Sequence, residues 1–165
     1  MAYNLIDTAY AATVQTEPQA LLDAVAATFL AVLGPRGLQH SYSLPQEQVA
    51  PTETSGPWMQ HFITGDPIQI ADLDGCMMEE VYTIESYLFV TPLQQTRAAA
   101  FGATWPWLRP MIWALSANRT LGGVVREIRP ISVVARGSMS YGGGAWTGLI
   151  LTSHLWLYYD VLQGS

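Results

Sequence analysis

The sequence predicts an α+β protein with a mixed, mainly antiparallel sheet, two or three helices packed on one face, and a long C-terminal hairpin. The clearest evidence is the segment from Trp146 to Val161, in which aliphatic residues alternate with aromatic and polar ones. A period of two indicates a strand with two different faces. Residues 16–33 instead space their apolar side chains at helical intervals, which predicts a core helix. With 165 residues, half of them hydrophobic, the chain is expected to form one domain, residues 1–165.

The N-terminal third is predicted to hold an arm, a helix and a long loop. Residues 1–15 form a polar stretch with scattered apolar residues, expected to be a short helix or an arm laid on a neighbour. Thr16 suits the N-cap of a helix over 16–33, and Pro18 is tolerated in its first turn. Residues 44–57 are rich in Pro, Gln and Thr and lack periodicity, which predicts a functional or disordered loop.

Strands and helices alternate in the middle of the chain. Strands are expected at 37–43, 58–64, 67–73 and 79–91. One helix is predicted to end near Gly102. A second helix is predicted to begin at Thr104, to carry Trp105, Leu108, Ile112 and Leu115 on one side, and to end near Asn118. A kink or a late start is expected at Pro110, because proline in a helix removes a backbone donor.

The predicted C-terminal hairpin joins strands 124–140 and 146–161 at a run of three glycines, 142–144. In the second strand the aliphatic face carries Leu149, Leu151, Leu155 and Leu157, and the other face carries Trp146, Ile150, His154, Trp156 and Tyr158. The second face is too aromatic for an ordinary wet surface. We therefore expect a second layer or another subunit to cover it.

The composition favours assembly over nucleic-acid binding. The net charge is −6, the chain has no lysine, and only 12% of its residues are charged. An acidic chain without lysine is poorly suited to hold a phosphate backbone. So few charges favour a surface buried against other subunits, or else one rich in uncharged Gln, Ser and Thr.

Four of the seven arginines fall in one short segment, at Arg119, Arg126, Arg129 and Arg136. They could bind an anion, but the planar guanidinium also matches a carboxylate, and the chain has 13 acidic residues. We therefore expect these arginines to form ion pairs.

The sequence offers no motif for catalysis, for a cofactor or for a metal, since it lacks a phosphate-binding loop, zinc-ligand spacing and a nucleophile elbow. The scattered histidines, His40, His61 and His154, are expected to be hydrogen-bonded structural residues. Cys76 is the single cysteine, so no internal disulfide is expected. The apolar stretch 20–33 is too short to span a bilayer, and no signal peptide is recognised. The expected location is the cytoplasm.

Two motifs in the C-terminal half, "ALSANRTLGGVVREI" and "SMSYGGGAWTGLILT", are joined by a strand and followed by another. Together with the helix that precedes them, this arrangement resembles the tail terminator (tail completion) proteins of long-tailed bacteriophages. Those proteins share the order helix, loop, strand, helix, "LGG"-like turn and closing hairpin. The chain follows that order from about Thr16 to Leu162, while the motifs themselves lie between Trp105 and Leu157.

The resemblance implies a structural virion protein and not an enzyme. Tail terminators form a ring, usually a hexamer, on the finished end of the tail tube. The ring stops further addition of tube subunits and presents a surface to the head–tail connector, and in contractile tails it can also meet the sheath. The implied location is the neck of a virion assembled in the host cytoplasm, with DNA passing through the lumen without specific binding.

A ring requires two different contact patches on each subunit. On the resemblance, arginines would form one patch and glutamates the other, beside the aromatic strand face. The residues expected at this interface are Arg119, Arg126, Arg129, Arg136, Glu79, Glu80, Glu85, Trp146, Trp156 and Tyr158. The residues expected to dock on the tube or connector are Gln46, Glu47, Gln48, Tyr141, Gly142 and Gly143.

Two alternatives remain open. The chain could be another neck or tail subunit, such as a tube protein or a head–tail connector protein. A tube protein would polymerise into long tubes, whereas a terminator would stop at one ring. The chain could instead be a small-molecule-binding or enzymatic α+β domain that lines a pocket with its aromatic strand face, and such a protein would be monomeric or dimeric.

Overall fold

The computed structural model describes residues 18–43, 56–71, 77–92, 96–141 and 144–160. It confirms the predicted α+β class, because the two helices of the described residues pack on one face of a mixed, mainly antiparallel sheet. The helices are α1 (Pro18–Leu33) and α2 (Arg97–Ala117), and short 3-10 turns follow them at Gly34–Arg36 and Leu121–Gly123. The strands are β1 (His40–Tyr42), β2 (Trp58–Ile63), β3 (Ile68–Ala71), β4 (Met77–Pro92), β5 (Glu127–Tyr141) and β6 (Gly144–Asp160).

The sheet has the strand order β1-β2-β4-β6-β5, and β3 pairs with the first part of the long strand β4. Neighbouring strands are antiparallel except β1 and β2, which are parallel. A parallel pair requires a long connection that returns to the starting end of the sheet. This requirement explains why so many residues separate β1 from β2. Most of the loop predicted there, residues 44–55, and the predicted arm, residues 1–15, lie outside the described residues.

The main hydrophobic core lies between the helices and the sheet. From α1 it includes Leu21, Val25 and Phe29, and from α2 it includes Met111 and Leu115, all without exposed surface. The sheet contributes alternate residues of its two central strands: Tyr82, Ile84 and Leu88 from β4, and Leu149, Leu151, Leu155 and Leu157 from β6. The predicted aliphatic side of the last strand is therefore confirmed as its core side.

Helix α1 and the turn after it form the most apolar helical segment. By length and composition the 19 residues Pro18–Arg36 are long and apolar enough to cross a membrane, so the expectation that this stretch is too short does not hold. One apolar side of α1 nevertheless lies in the core, where Leu21, Val25 and Phe29 belong to the same cluster as residues of the sheet and α2. A helix with one apolar stripe turned inward is typical of a globular core.

The prediction of two helices over residues 93–118 was wrong, because α2 is a single helix across the proposed break. Its N-cap is Thr96, whose hydroxyl accepts a hydrogen bond from the backbone N–H of Ala99 at 3.2 Å. Thr104, the predicted cap, lies inside the helix, and its hydroxyl donates to the carbonyl of Ala100 at 3.0 Å. Gly102 also lies within the helix, as do both prolines of this segment.

The predicted apolar side of α2 lies partly in the core, because Leu115 is fully buried and Ile112 packs against the core cluster. Thr104, Met111 and Leu115 are fully buried, whereas Trp105 is 53% exposed. Positions 104, 111 and 115 share one helical face, and the next residue after Thr104 lies about 100° further around the axis. Trp105 therefore lies beside the buried face, whereas Leu115, from the same predicted set, lies on it.

The turn that follows α2 is held by one side chain. Asn118 donates from Nδ2 to Thr28 Oγ1 of α1 at 3.1 Å and accepts at Oδ1 from the backbone N–H of Gly122 at 3.0 Å. Leu121 is 4% exposed and anchors the turn in the core. Gly122 and Gly123 have φ of 70° and 96°, which glycine adopts without strain. The "LGG" motif therefore works as an apolar anchor followed by a chain reversal into β5.

Candidate functional site

We call the side of the sheet that points away from the helices the open face. It carries the residues that alternate with the core positions: Trp58, Gln60 and Phe62 of β2; Glu79, Thr83, Glu85, Tyr87 and Phe89 of β4; Trp146, Ile150, Thr152, His154 and Trp156 of β6. Neither described helix contributes to the apolar cluster on this face. The predicted separation of β6 into an aliphatic and an aromatic side is therefore confirmed.

An aromatic cluster closes one end of the open face. The Trp58 and Phe89 rings stack with centroids 4.1 Å apart, and Trp146 meets them edge-on at 5.7 and 6.0 Å. Met139 of β5 completes the cluster, and all four side chains are at most 9% exposed. Trp146 was expected at a subunit interface, but its ring is covered by its own chain. The aromatic side chains bury one another, because the strands bring them together from distant parts of the sequence.

Gly148 makes this packing possible. It lies opposite Phe89 in the sheet, and a Cβ at this position would collide with the carbonyl oxygen of Leu88 and with the Met139 methyl group. The space that a side chain would fill is taken by Met139 and by the backbone of β4. A glycine is therefore required at the floor of the aromatic cluster.

The clustered arginines make ion pairs within the chain. Arg119 Nη1 lies 3.6 Å from Glu127 Oε1, and Arg129 Nε lies 3.3 Å from Glu127 Oε2. The Arg129 guanidinium also lies over the Trp156 ring at 5.1 Å, and Trp156 Nε1 donates to the Arg129 carbonyl at 3.0 Å. The prediction that these arginines pair with carboxylates holds for these two. Arg126 is exposed, and the side chains of Arg136 and Tyr158 lie outside the described residues.

The three predicted interface glutamates do not form one patch. Glu79 and Glu80 are adjacent on β4, so they point to opposite faces of the sheet. Glu80 accepts hydrogen bonds from Tyr82 Oη at 3.0 Å and from Gln69 Nε2 at 3.1 Å. Glu85 accepts from Tyr87 Oη at 2.7 Å. Two of the glutamates are thus engaged within the chain, which weakens the case for an arginine–glutamate seam.

Tyr87 remains protonated at any ordinary pH. Burial raises its pKa to about 12, and the hydrogen bond to Glu85 and the negative charge of Glu85 add to the effect. The phenol therefore acts as a fixed donor that orients the Glu85 carboxylate on the open face.

The residues expected to dock on a tube or connector are only partly described. Gln46, Glu47, Gln48, Gly142 and Gly143 lie outside the described residues, as does the side chain of Tyr141. Strand β5 ends at Tyr141 and pairs there with Gly144, the first residue of β6. The hairpin end therefore lies where the glycine run predicted it.

His61 lies in the core as a hydrogen-bonded residue, as predicted. One ring nitrogen, Nε2, lies 2.8 Å from Ser41 Oγ and the other, Nδ1, lies 2.9 Å from Ser86 Oγ. The ring stacks on Phe29 with centroids 5.2 Å apart, and burial lowers its pKa to about 3. His154 is also hydrogen-bonded, with Nδ1 at 3.0 Å from Thr83 Oγ1.

Ser41, His61 and Ser86 are hydrogen-bonded in the order of a catalytic nucleophile, a base and an orienting group. However, His61 is too weak a base and Ser86 carries no charge. A base whose pKa is about 3 holds a proton too weakly to activate a hydroxyl near neutral pH. Ser86 is uncharged, so it cannot stabilise the imidazolium as a carboxylate does. We therefore interpret this arrangement as a structural hydrogen-bond chain that ties β1, β2 and β4 together. Within the described ranges, no group of three His, Cys, Asp or Glu side chains comes together as metal ligands would.

The two lateral edges of the sheet expose aliphatic residues that the sequence reasoning missed. At one edge, β3 exposes Ile68 and Ile70, which are 59% and 44% accessible. At the other edge, β5 exposes Val133 and Val134, which are 40% and 58% accessible. The sequence signal was present in the alternation of Ile68 and Ile70 around Gln69, which is typical of a strand with an apolar side.

Comparison of the chain with models of known protein families and with curated proteins found no match.

Proposed function

We propose that this chain is a bacteriophage tail terminator subunit, whose rings cap the tail tube and join it to the head connector. The observation that carries the proposal is the presence of two different exposed apolar edges on opposite sides of one sheet. The order of the elements adds support, because α1, the long connection, β4, α2, the "LGG" turn and the hairpin follow each other as in the proteins that the sequence resembles.

Two different patches on opposite sides of a subunit are what a head-to-tail ring needs. When patch one of each copy meets patch two of the next, a rotation that closes gives a ring. In this chain, β3 with Ile68 and Ile70 would be one patch, and β5 with Val133 and Val134 the other. This seam replaces the arginine–glutamate seam, whose charged groups are largely engaged within the chain.

The long edge strand β5 is built to limit indiscriminate pairing. Its pairing with β6 shifts register between Ile128 and Ile131, around Pro130, and again between Val133 and Ala135. Proline and irregular register are devices that stop an edge strand from recruiting any other strand. Contact at this edge would therefore depend on its side chains, and this favours one specific partner surface.

Native mass measurement tests the ring and its seam together. Six copies of the 18.1 kDa chain would give a discrete species near 110 kDa. We expect Ile68→Glu and Val134→Glu to reduce this species to monomer, because each buries a charge in an apolar seam. Leu30→Glu is the matched control, since Leu30 is 42% exposed and belongs to α1 and to neither edge strand.

The function itself is tested on growing tails. Wild-type protein added to polymerising tube protein of the same virus should stop tube growth, and the two edge variants should not. Long polymers of the chain alone would instead identify a tube subunit. A chain that stays monomeric even on finished tubes, or edge variants that still form the full ring, would contradict the proposal. The small-molecule alternative is less favoured, because Trp146, one of the aromatic side chains that would line its pocket, packs on Trp58 and Phe89.

A further inference from the structure

The outer side of α2 carries a ridge of large side chains at intervals of four residues. We call Phe101, Trp105, Arg109 and Trp113 the α2 ridge. Its three aromatic residues are 49%, 53% and 61% exposed. Twelve residues separate its ends, so the ridge is about 18 Å long at the rise of an α-helix. Exposed aromatic side chains that line up in this way mark interaction surfaces, and Trp and Arg dominate the binding energy of many interfaces.

The two ends of the α2 ridge have different chemistry. At the first end the Phe101 and Trp105 rings stack with centroids 5.2 Å apart, which gives a flat apolar platform. At the other end Arg109, Pro110 and Trp113 form an open cavity of about 380 Å³ together with Arg36 from the turn after α1. This cavity has room for an apolar side chain of a partner, with two guanidinium groups at its border.

The charge of this region is opposite to that of the whole molecule. No acidic residue occurs between Glu85 and Glu127, whereas four of the seven arginines do. This segment therefore carries +4 in a chain whose net charge is −6. Within the part of the chain that the structure describes, neither Arg36 nor Arg109 forms an ion pair. Two guanidinium groups beside an exposed indole fit a carboxylate that is attached to an apolar group.

The α2 ridge faces away from the sheet, and the two apolar edges lie at the sides of the sheet. A ring closed through those edges leaves the ridge uncovered, so another copy of the chain is not its occupant. We propose that the α2 ridge docks an acidic segment of a different protein. Its carboxylate lies between Arg36 and Arg109, and its apolar side chains occupy the Trp113 cavity and the Phe101–Trp105 platform. The choice of a different protein over a second copy rests on the proposed function.

A designed peptide pair tests this chemistry on the full-length chain. The probe is a fluorescein-labelled helical peptide with Glu and Leu at four-residue spacing, and its counterpart has Lys in place of Glu. We expect the acidic peptide to bind, the basic one to bind at least about tenfold more weakly, and added salt to weaken the acidic complex. Trp113→Ala and Arg109→Gln should each weaken it at least about tenfold. Ser116→Ala, an exposed position on the same helix, should leave it unchanged.

The outcomes distinguish failure of the proposed docking surface from failure of the proposed ring. Equal binding of the two peptides, or unchanged binding by both ridge variants, would overturn the docking surface. Loss of the native ring mass in Trp113→Ala would show that a second copy occupies the ridge, which also overturns the proposal. If Trp113→Ala weakens binding of the acidic peptide while the chain stays monomeric on tail tubes, the docking surface is supported and the proposed ring is refuted.

Discussion

His61 makes the stability of the fold depend on pH in a way that one substitution can isolate. The folded protein keeps this imidazole neutral, with a pKa of about 3, whereas in the unfolded chain its pKa has the ordinary histidine value of 6.5. Between those values the unfolded state holds one proton more than the folded state. The free energy of unfolding is therefore unaffected above pH 6.5 and falls as the pH decreases, by about 1.4 kcal/mol per pH unit. At a pH two units below 6.5 the loss is about 3 kcal/mol.

The perturbation is His61→Gln, which keeps a polar side chain between Ser41 and Ser86 but removes the titrating group. Urea unfolding, followed by tryptophan fluorescence, gives the free energy of unfolding at each pH. We expect the variant to be less stable than wild type at neutral pH but to lose stability more slowly toward acid. The two pH slopes should differ by about 1.4 kcal/mol per pH unit.

Leu115→Ala is the control for simple destabilisation, because Leu115 is fully buried on α2 and carries no titrating group. It should lower stability by about 2–5 kcal/mol while keeping the wild-type pH slope. All variants are made in the Val134→Glu background, which we expect to be monomeric, so that assembly does not contribute to the result. Identical slopes for wild type and His61→Gln below pH 6.5 would refute a buried neutral histidine.

Two further substitutions test the open face. Gly148→Ala should destabilise the fold by about 3 kcal/mol or more, because the new Cβ collides with the backbone of β4. Gly102→Ala is the control, because it lies on the exposed side of α2 with nothing near the added methyl group, and it should stabilise the fold by about 0.5–1 kcal/mol. If thermal unfolding showed similar shifts for Gly148→Ala and Gly102→Ala, the predicted clash at Gly148 would be refuted. Gln60 is fully buried, and its amide bonds to no described residue, so Gln60→Met should raise the free energy of unfolding by about 1–3 kcal/mol. A loss of stability in urea titration would mean that the amide has a partner in solution.

Local sequence patterns predicted the strands well, because successive side chains of a strand can only alternate between two faces of the sheet. The alternation in β6 assigned Leu149 and Trp156 to opposite faces, and a shift of one residue would have exchanged the two sets completely. The pattern did not reveal what covers each face. Trp146 finds its partners in Trp58 and Phe89, which lie on strands far away in the sequence, so a single strand could not show that the ring is buried within the chain.

Helix α2 shows where local signals fail. Gly102, Thr104, Pro106 and Pro110 each favour a break or a cap, yet the helix continues through all four. Packing of Met111 and Leu115 into the core stabilises the helix more than these residues weaken it. The surfaces that we propose for interaction were missed for a related reason. Exposure of Ile68, Val134 and Trp113 depends on which edges and ridges the fold leaves uncovered, and this follows only from the complete topology.

Strand β6 follows every other strand of the sheet in the chain, yet it lies between β4 and β5 near the centre. Until β6 is synthesised, the described part of β4 has partners on one side only, and the helices lack the part of the core that β6 contributes. Closure of the sheet therefore depends on the pairing of β6 with β4, which is distant in the sequence. One apolar edge belongs to β5, whose only described neighbour is β6, so this edge takes its place in the sheet only once β6 has paired with β4.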